Sequence, residues 1–267
     1  MNYMLIMKRK YIGLTSVILA LITTSCLKSI FCVRGDGIME TETRRITSFD
    51  EIENSTSFDV IYRKADTLGI IISAEQNIMD YIETNVYDNC LEITTSPATV
   101  CLDYTERPLI TISSPSLEKV YNSGSGAFIG DKLSGETVTA KASGSGDITF
   151  EMVNSDNIEI TISGSGNIEL KIAACSNCDC LITGSGDATV NGVCENSHLK
   201  ITGSGNIYAV DFITNTASVI ISGSGNVFTT VTDYLNGLIS GSGNIFIRGY
   251  PEIDQTITGS GRIINYK

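Results

Sequence analysis

Apolar and polar residues alternate along most of the second half of the chain. Ile158, Ile160 and Ile162 are separated by Glu159 and Thr161, and Ile168, Leu170 and Ile172 by Glu169 and Lys171. A period of two on both sides of an interruption marks two β-strands, each with one face turned inward. The interruption is Ser163-Gly164-Ser165-Gly166-Asn167, and close copies begin at Ser123, Ser143, Thr183, Thr202, Ser222, Ser240 and Thr258. With Ser163 included, the steps between copies are 20, 20, 20, 19, 20, 18 and 18 residues. Self-similarity at a step near 20 is the signature of a solenoid. That length supplies two short strands and two turns per coil, so stacked coils give parallel strands. The predicted fold is all-β: a right-handed, parallel β-helix-like solenoid of two sheets. At ~4.8 Å between stacked strands its eight repeats make a rod of roughly 35–40 Å.

The glycine corners have two predicted uses. Glycine reaches positive φ without a Cβ clash, which lets the chain fold sharply from one sheet to the next. Small residues also let successive corners stack closely. The Asn after the corner (167, 206, 226 and 244) is placed to form a ladder of side-chain amides along the stack.

Upstream, residues 45–120 read as a mostly β region continuous with the solenoid of 121–267. Ile78, Ile82 and Val86 fall at helical spacing, predicting one short amphipathic helix. The runs "CLEITTSP" and "VCLDYTE" read as a hairpin around Ser96-Pro97. Residues 26–44 lack a stable period and read as a tether. Before them, Lys8, Arg9 and Lys10 precede the apolar run "YIGLTSVILALITTS", the pattern of an export signal over residues 1–25. The run ends at Cys26, as in bacterial lipoproteins whose cysteine carries the lipid. The expected location is therefore the cell envelope, as an outer-membrane lipoprotein facing the periplasm or the exterior. Membrane contact is expected through the anchor only.

Composition refines this reading. Aromatics make up 7% of the chain and Trp is absent, so Ile, Val, Leu and Ala must build the core. A net charge of −12 leaves no basic stripe for nucleic acid.

Seven cysteines follow Cys26. Cys178 and Cys180 lie 20 residues after Ile158 and Ile160, which makes them inward, apolar residues rather than metal ligands. Cys175 and Cys194 each stand eight residues before their own corner and so become vertical neighbours, a disulfide or thiol ladder. Cys90 and Cys101 flank the predicted hairpin and form a second candidate disulfide. Asp147 and Asp187 occupy the post-corner position but lie two coils apart, unlike the aspartates of calcium-binding nonapeptide rolls. No metal and no cofactor are expected. His198 is the sole histidine, on an outward position, and no acid pair has glycosidase-like placement. No catalytic residue is expected.

The outward row after the corner runs Thr149, Glu169, Thr189, Tyr208, Phe228, Phe246, Ile264, becoming apolar in the last coils. The row before the corner includes Ile220 and Leu238. Such a stripe is a sheet-stabilising stack, a protein or self-association surface, or a platform for sugar rings. The end at "RIINYK" carries no capping helix, and an uncovered solenoid end is a strand edge that calls for cover.

The "GSGNI" corners, with "FDEIENSTSFDVIYRK", "CLEITT" and "PLITISSPSLEKVYNSGSG" upstream, resemble the head GIN domain family of putative autotransporter adhesins of Bacteroides-type bacteria. The resemblance covers about residues 44–266. It implies a pectin-lyase-like solenoid exported to the envelope, with adhesion as its proposed role. The expected protein is a noncatalytic adhesin or structural protein, with a second copy, an envelope or host-surface protein, or a glycan as partner. The alternative is a carbohydrate-binding module using the aromatic row.

Overall fold

The computed structural model describes residues 32–266. The expected leader and Cys26 lie outside the described residues. Where the sequence alternates, strands form and stack in parallel. Ile158, Ile160 and Ile162 sit directly beside Cys178, Cys180 and Ile182 of the next coil, and all six are buried. After the corner, the file Ile148, Ile168, Ala188, Ile207, Val227, Ile245 and Ile263 runs through seven successive strands in one register. The solenoid thus has a pre-corner face and a post-corner face. Three long strands, Ala188–Ile201, Ile207–Ile221 and Val227–Ile239, bend from the post-corner face into the pre-corner one. Gly192, at φ +128°, makes the first of these bends, and its missing Cβ clears the Ile172 carbonyl.

The corners work by close approach rather than by left-handed backbone. Positive φ occurs only at Gly37, Gly192 and Gly249 among the described glycines, none of them in a corner. A Cβ on Gly164 would instead lie 2.0 Å from the Gly144 carbonyl oxygen, and one on Gly184 2.1 Å from that of Gly164. Ser165 N–H donates to Gly144 O at 2.9 Å, and Ser185 N–H to Gly164 O at 2.9 Å. Each corner is therefore hydrogen-bonded so tightly to the one below that no side chain fits between them.

The post-corner ladder runs without a break from Asp147 to Arg262. Asn167 donates to Asp147 Oδ1 from both its backbone N–H (2.7 Å) and Nδ2 (3.0 Å). Asp187 N–H donates to Asn167 Oδ1, and Asn206 repeats the double donation to Asp187. Asn226, Asn244 and finally the Arg262 N–H continue it. Asp147 and Asp187 are acceptor rungs of this ladder.

The stack extends below the first glycine corner. Glu51–Asn54 pairs in parallel with Lys119–Asn122, and Asp59–Lys64 with the start of Phe128–Ser134. Residues 55–57 are thus a glycine-free first corner. Asn54 builds it, accepting from Thr56 N–H and Thr56 Oγ1 and donating from Nδ2 to Phe58 O. Glycine is dispensable here because the clash that demands it comes from a corner underneath, and the first corner has none.

Antiparallel strands close this end. On the pre-corner face Cys90–Thr95 lies beside Glu51–Asn54, and Ile82–Tyr87 pairs antiparallel with it. On the post-corner face Leu109–Ser114, Gly69–Glu75 and Met39–Arg44 follow in turn. Four expectations fail in this cap. The helix is a single turn, Gln76–Met79; Ile82 and Val86 lie on a strand. Asp88 and Asn89, both at positive φ, make a two-residue turn into Cys90–Thr95, and that hairpin overrides the helical spacing. The hairpin expected around Ser96-Pro97 does not form, because Leu102–Asp103 pairs with Val33–Arg34 instead. Residues 32–44 are accordingly no tether but part of the cap, tied by a disulfide between Cys32 and Cys101. The expected Cys90–Cys101 pairing is thereby corrected: Cys90 is free at the hairpin tip.

The buried Glu75 completes the cap. Its carboxylate accepts from Gly37 N–H (2.8 Å), Thr105 N–H (2.9 Å) and Thr105 Oγ1 (2.7 Å). The Thr105 hydroxyl, above all, holds its acidity below the ordinary glutamate value, against the opposing effect of burial.

Candidate functional site

Two outward surfaces carry side chains in long vertical files. On the pre-corner face, register places Asn157, Asn177, Asn196, Thr216 and Tyr234 one above another. Asn177 Nδ2 donates to Asn157 Oδ1 at 3.0 Å, and Thr216 Oγ1 donates to Asn196 Oδ1 at 2.7 Å. Tyr234 follows with an exposed ring, and its register partner in the next coil is the exposed Glu252. Two residues further along each strand stand Asp179, His198, Ser218 and Asn236. Together these two files line a shallow depression of about 580 Å³. A second depression of about 290 Å³ adjoins it on the side of Glu159, Leu181 and Lys200, sharing Asp179 and His198. His198 is exposed beside Asp179, its register partner.

The aromatic file lies on the post-corner face. Tyr208 and Phe228 stack with centroids 5.3 Å apart and planes 13° off parallel, and Phe228 and Phe246 at 4.7 Å and 6°. Tyr266 meets Phe246 edge-on at 6.4 Å, and the Arg248 guanidinium lies 5.8 Å over the Tyr266 ring. Ile264 extends the file as the register partner of Phe246. Because the rings stack on one another, their faces are occupied and their edges meet solvent. Ile220 and Leu238 are register partners on the pre-corner face. The post-corner row and the pre-corner row thus form two separate files on either side of the corner.

The cysteine cluster sits inside. Cys178 and Cys180 are 1% exposed. Burial pushes both thiols up, Cys180 to about 12, as befits apolar core residues. Cys175 and Cys194 are register partners in adjacent coils, with their sulfurs 2.7 Å apart. Among the described residues no group of three or more His, Cys, Asp or Glu side chains is placed to hold a metal.

The Asn file and Tyr234 were missed by sequence reasoning. Their signal was present, because the same step that aligned the isoleucines also aligns residues 157, 177, 196, 216 and 234. The two outward rows read from the sequence flank the corner, and this file stands farther from it.

The profile of the family described as "Putative auto-transporter adhesin, head GIN domain" matches residues 48–251. Among solved structures, a protein from Parabacteroides distasonis described as a putative lipid binding protein shares 30% identity. It aligns at TM-score 0.81 over 88% of this chain and 99% of its own. Putative adhesins from Parabacteroides distasonis and Parabacteroides merdae each share 24% identity, also at TM-score 0.81, over 88% of this chain and 99% of theirs. These two bear on the fold alone. No functionally curated protein matches the chain.

Proposed function

Because the chain belongs to the head GIN domain family of putative auto-transporter adhesins, we propose that it is a noncatalytic adhesive protein of the cell envelope. In this reading a lipid on Cys26 holds the rod, and its pre-corner face binds a neutral glycan. The observation that carries the reading is the file Asn157, Asn177, Asn196, Thr216 and Tyr234 along one face. Amides and hydroxyls repeating at ~4.8 Å form a rigid lattice of donors and acceptors, uncharged from Asn157 to Tyr234, with Asp179 in the file alongside and Glu252 beyond its end. Groups fixed on strands need little ordering when a ligand arrives, which favours binding. Sugar hydroxyls both donate and accept, and one exposed tyrosine ring offers a stacking face. The ladder of Tyr208, Phe228 and Phe246 suits this less well, because its ring faces are already covered.

The test applies the mature protein to immobilised neutral polysaccharides and, separately, to phospholipid vesicles. The vesicle arm is included because one relative is described as lipid binding. Replacing Asn196 and Tyr234 together by Ala is expected to lower glycan retention at least tenfold while the fold stays intact. Unchanged retention removes the site, and vesicle binding without glycan binding replaces the ligand class. Release of new reducing ends from any polysaccharide overturns the noncatalytic reading. Protease shaving of intact cells decides whether the rod faces outward.

A further inference from the structure

We propose that Cys175 and Cys194 are joined in a second disulfide that staples two consecutive coils. Three observations carry this. The two residues are direct register partners in adjacent parallel strands. Their sulfurs lie 2.7 Å apart, well inside the contact distance of two unbonded sulfur atoms and a short relaxation from the ~2.05 Å of an S–S bond. Both are buried, at 7% and 5% exposure, so no other thiol competes from solvent. Neighbouring cysteines lack this placement: Cys178 lies between Ile158 and Ser197, and Cys180 between Ile160 and Leu199. Cys90 is paired across its hairpin with Tyr87 and against Glu51.

The chemistry needs an oxidant, and the Cys32–Cys101 bond places the folded chain where one acts. A dithiol–disulfide oxidase in its disulfide form supplies it. One cysteine thiolate attacks the donor disulfide and forms a mixed disulfide, displacing one donor thiolate. The second cysteine thiolate then attacks the protein-side sulfur and releases the donor as a dithiol. Two electrons pass to the donor, and the two protons leave the cysteines. Because both sulfurs become enclosed once the coils stack, the exchange belongs to folding, before that part of the rod closes.

The staple sits at a change in the winding. Below it, Ile168–Ile172 and Cys175–Ile182 are separate strands with a break at residues 173–174. Above it, Ala188–Ile201 runs continuously through the Gly192 bend. Fixing Cys175 to Cys194 holds these two kinds of coil in register on the side away from the glycine corners.

The test uses the mature protein purified from the envelope, unfolded in denaturant with an alkylating agent and no reductant. Of the seven described cysteines, two in the Cys32–Cys101 disulfide and five outside it, the proposal expects three to alkylate: Cys90, Cys178 and Cys180. Cleavage before Asp179 and Asp187 separates fragments bearing Cys175 with Cys178, Cys180, and Cys194, and tandem mass spectrometry then places the alkyl group of the first fragment on Cys175 or Cys178, which identifies the linkage. Cys175→Ser is expected to raise the count to four by releasing Cys194. Five alkylated cysteines in the parent protein, or a linkage through Cys178 or Cys180, overturns the proposal. Should Cys175→Ser fail to accumulate, the parent protein's fragment map alone decides.

Discussion

Ile160 and Cys180 lie side by side in consecutive parallel strands, each about 1% exposed and twenty residues apart in sequence. This single relationship converts a linear repeat into vertical files, the Asn file and the aromatic file among them. What keeps the spacing uniform is the corner. Its missing Cβ atoms let backbone amides bond directly to the coil beneath.

Adding that Cβ back should therefore be costly. Gly164→Ala places a methyl group 2.0 Å from the Gly144 carbonyl oxygen, a backbone atom that moves only if the coils separate. The expected loss is roughly 1–3 kcal/mol, the range for overpacking, read as a lower urea midpoint. Thr56→Gly, in the first corner, meets no such clash: it forfeits the hydroxyl's bonds to Asn54 Oδ1 and from Phe58 N–H, the buried methyl group and some backbone restriction. A Gly164→Ala protein as stable as the parent would mean that the corners tolerate more separation than the hydrogen bonds imply.

Phe228 tests the aromatic file. It stacks on Tyr208 below and Phe246 above, so Phe228→Ser removes two ring contacts of about 0.5–1.5 kcal/mol each beyond area burial. Thermal unfolding should shift down while light scattering shows an unchanged particle mass. A drop in mass, with stability kept, would make the file an association surface instead.

Most of this architecture was legible because one physical rule, the vertical alignment of residues about twenty apart, is written many times over. Eight glycine corners declare it, and the isoleucine rows repeat it. Legibility failed where the rule was carried by other residues. Asn54 and Thr56 shape a corner without glycine, so the sequence shows a β region continuous with the solenoid but not that its first coil begins there. Ile78, Ile82 and Val86 satisfy a helical period by coincidence, while the Asp88-Asn89 turn dictates a hairpin. Cys32 could not be matched to Cys101 from spacing, since their 69-residue separation closes only through the folded cap. The Asn file was hidden for a different reason: its residues are polar and surface-facing, and only the register reveals that they share a line.

The ladder of post-corner residues predicts a charge rule. Asp147 and Asp187 accept hydrogen bonds from the coil above, with Asn167 between them as a neutral rung. Asn167→Asp would set three carboxylates in consecutive coils at ~4.8 Å. Like charges at that distance raise one another's pKa. Such a group is more easily protonated folded than unfolded, so the variant should gain stability relative to the parent as pH falls from 7 towards 4. Chemical denaturation at the two pH values measures this, and a pH-independent difference would show that the rungs are not electrostatically coupled.

Glu75 has the opposite sign. Its carboxylate is buried under the Cys32–Arg44 segment and held below the ordinary value of 4.5, first by the Thr105 hydroxyl and then by the amides of Thr105 and Gly37. A depressed folded value means that the contribution is fully present above the unfolded pKa and is lost as pH falls through the folded one. The cap should therefore loosen on acidification below about pH 4.5, while the glycine-cornered coils, held by backbone bonds, persist. Hydrogen exchange followed by mass spectrometry resolves the two: protection across residues 33–44 should fall first, with residues 157–182 still protected. Glu75→Gln should show the loosened cap already at neutral pH and lose the acid dependence, because its amide cannot accept all three bonds as the carboxylate does. If residues 33–44 and 157–182 lost protection together at every pH, the cap and the coils would be one cooperative unit and Glu75 no separate latch.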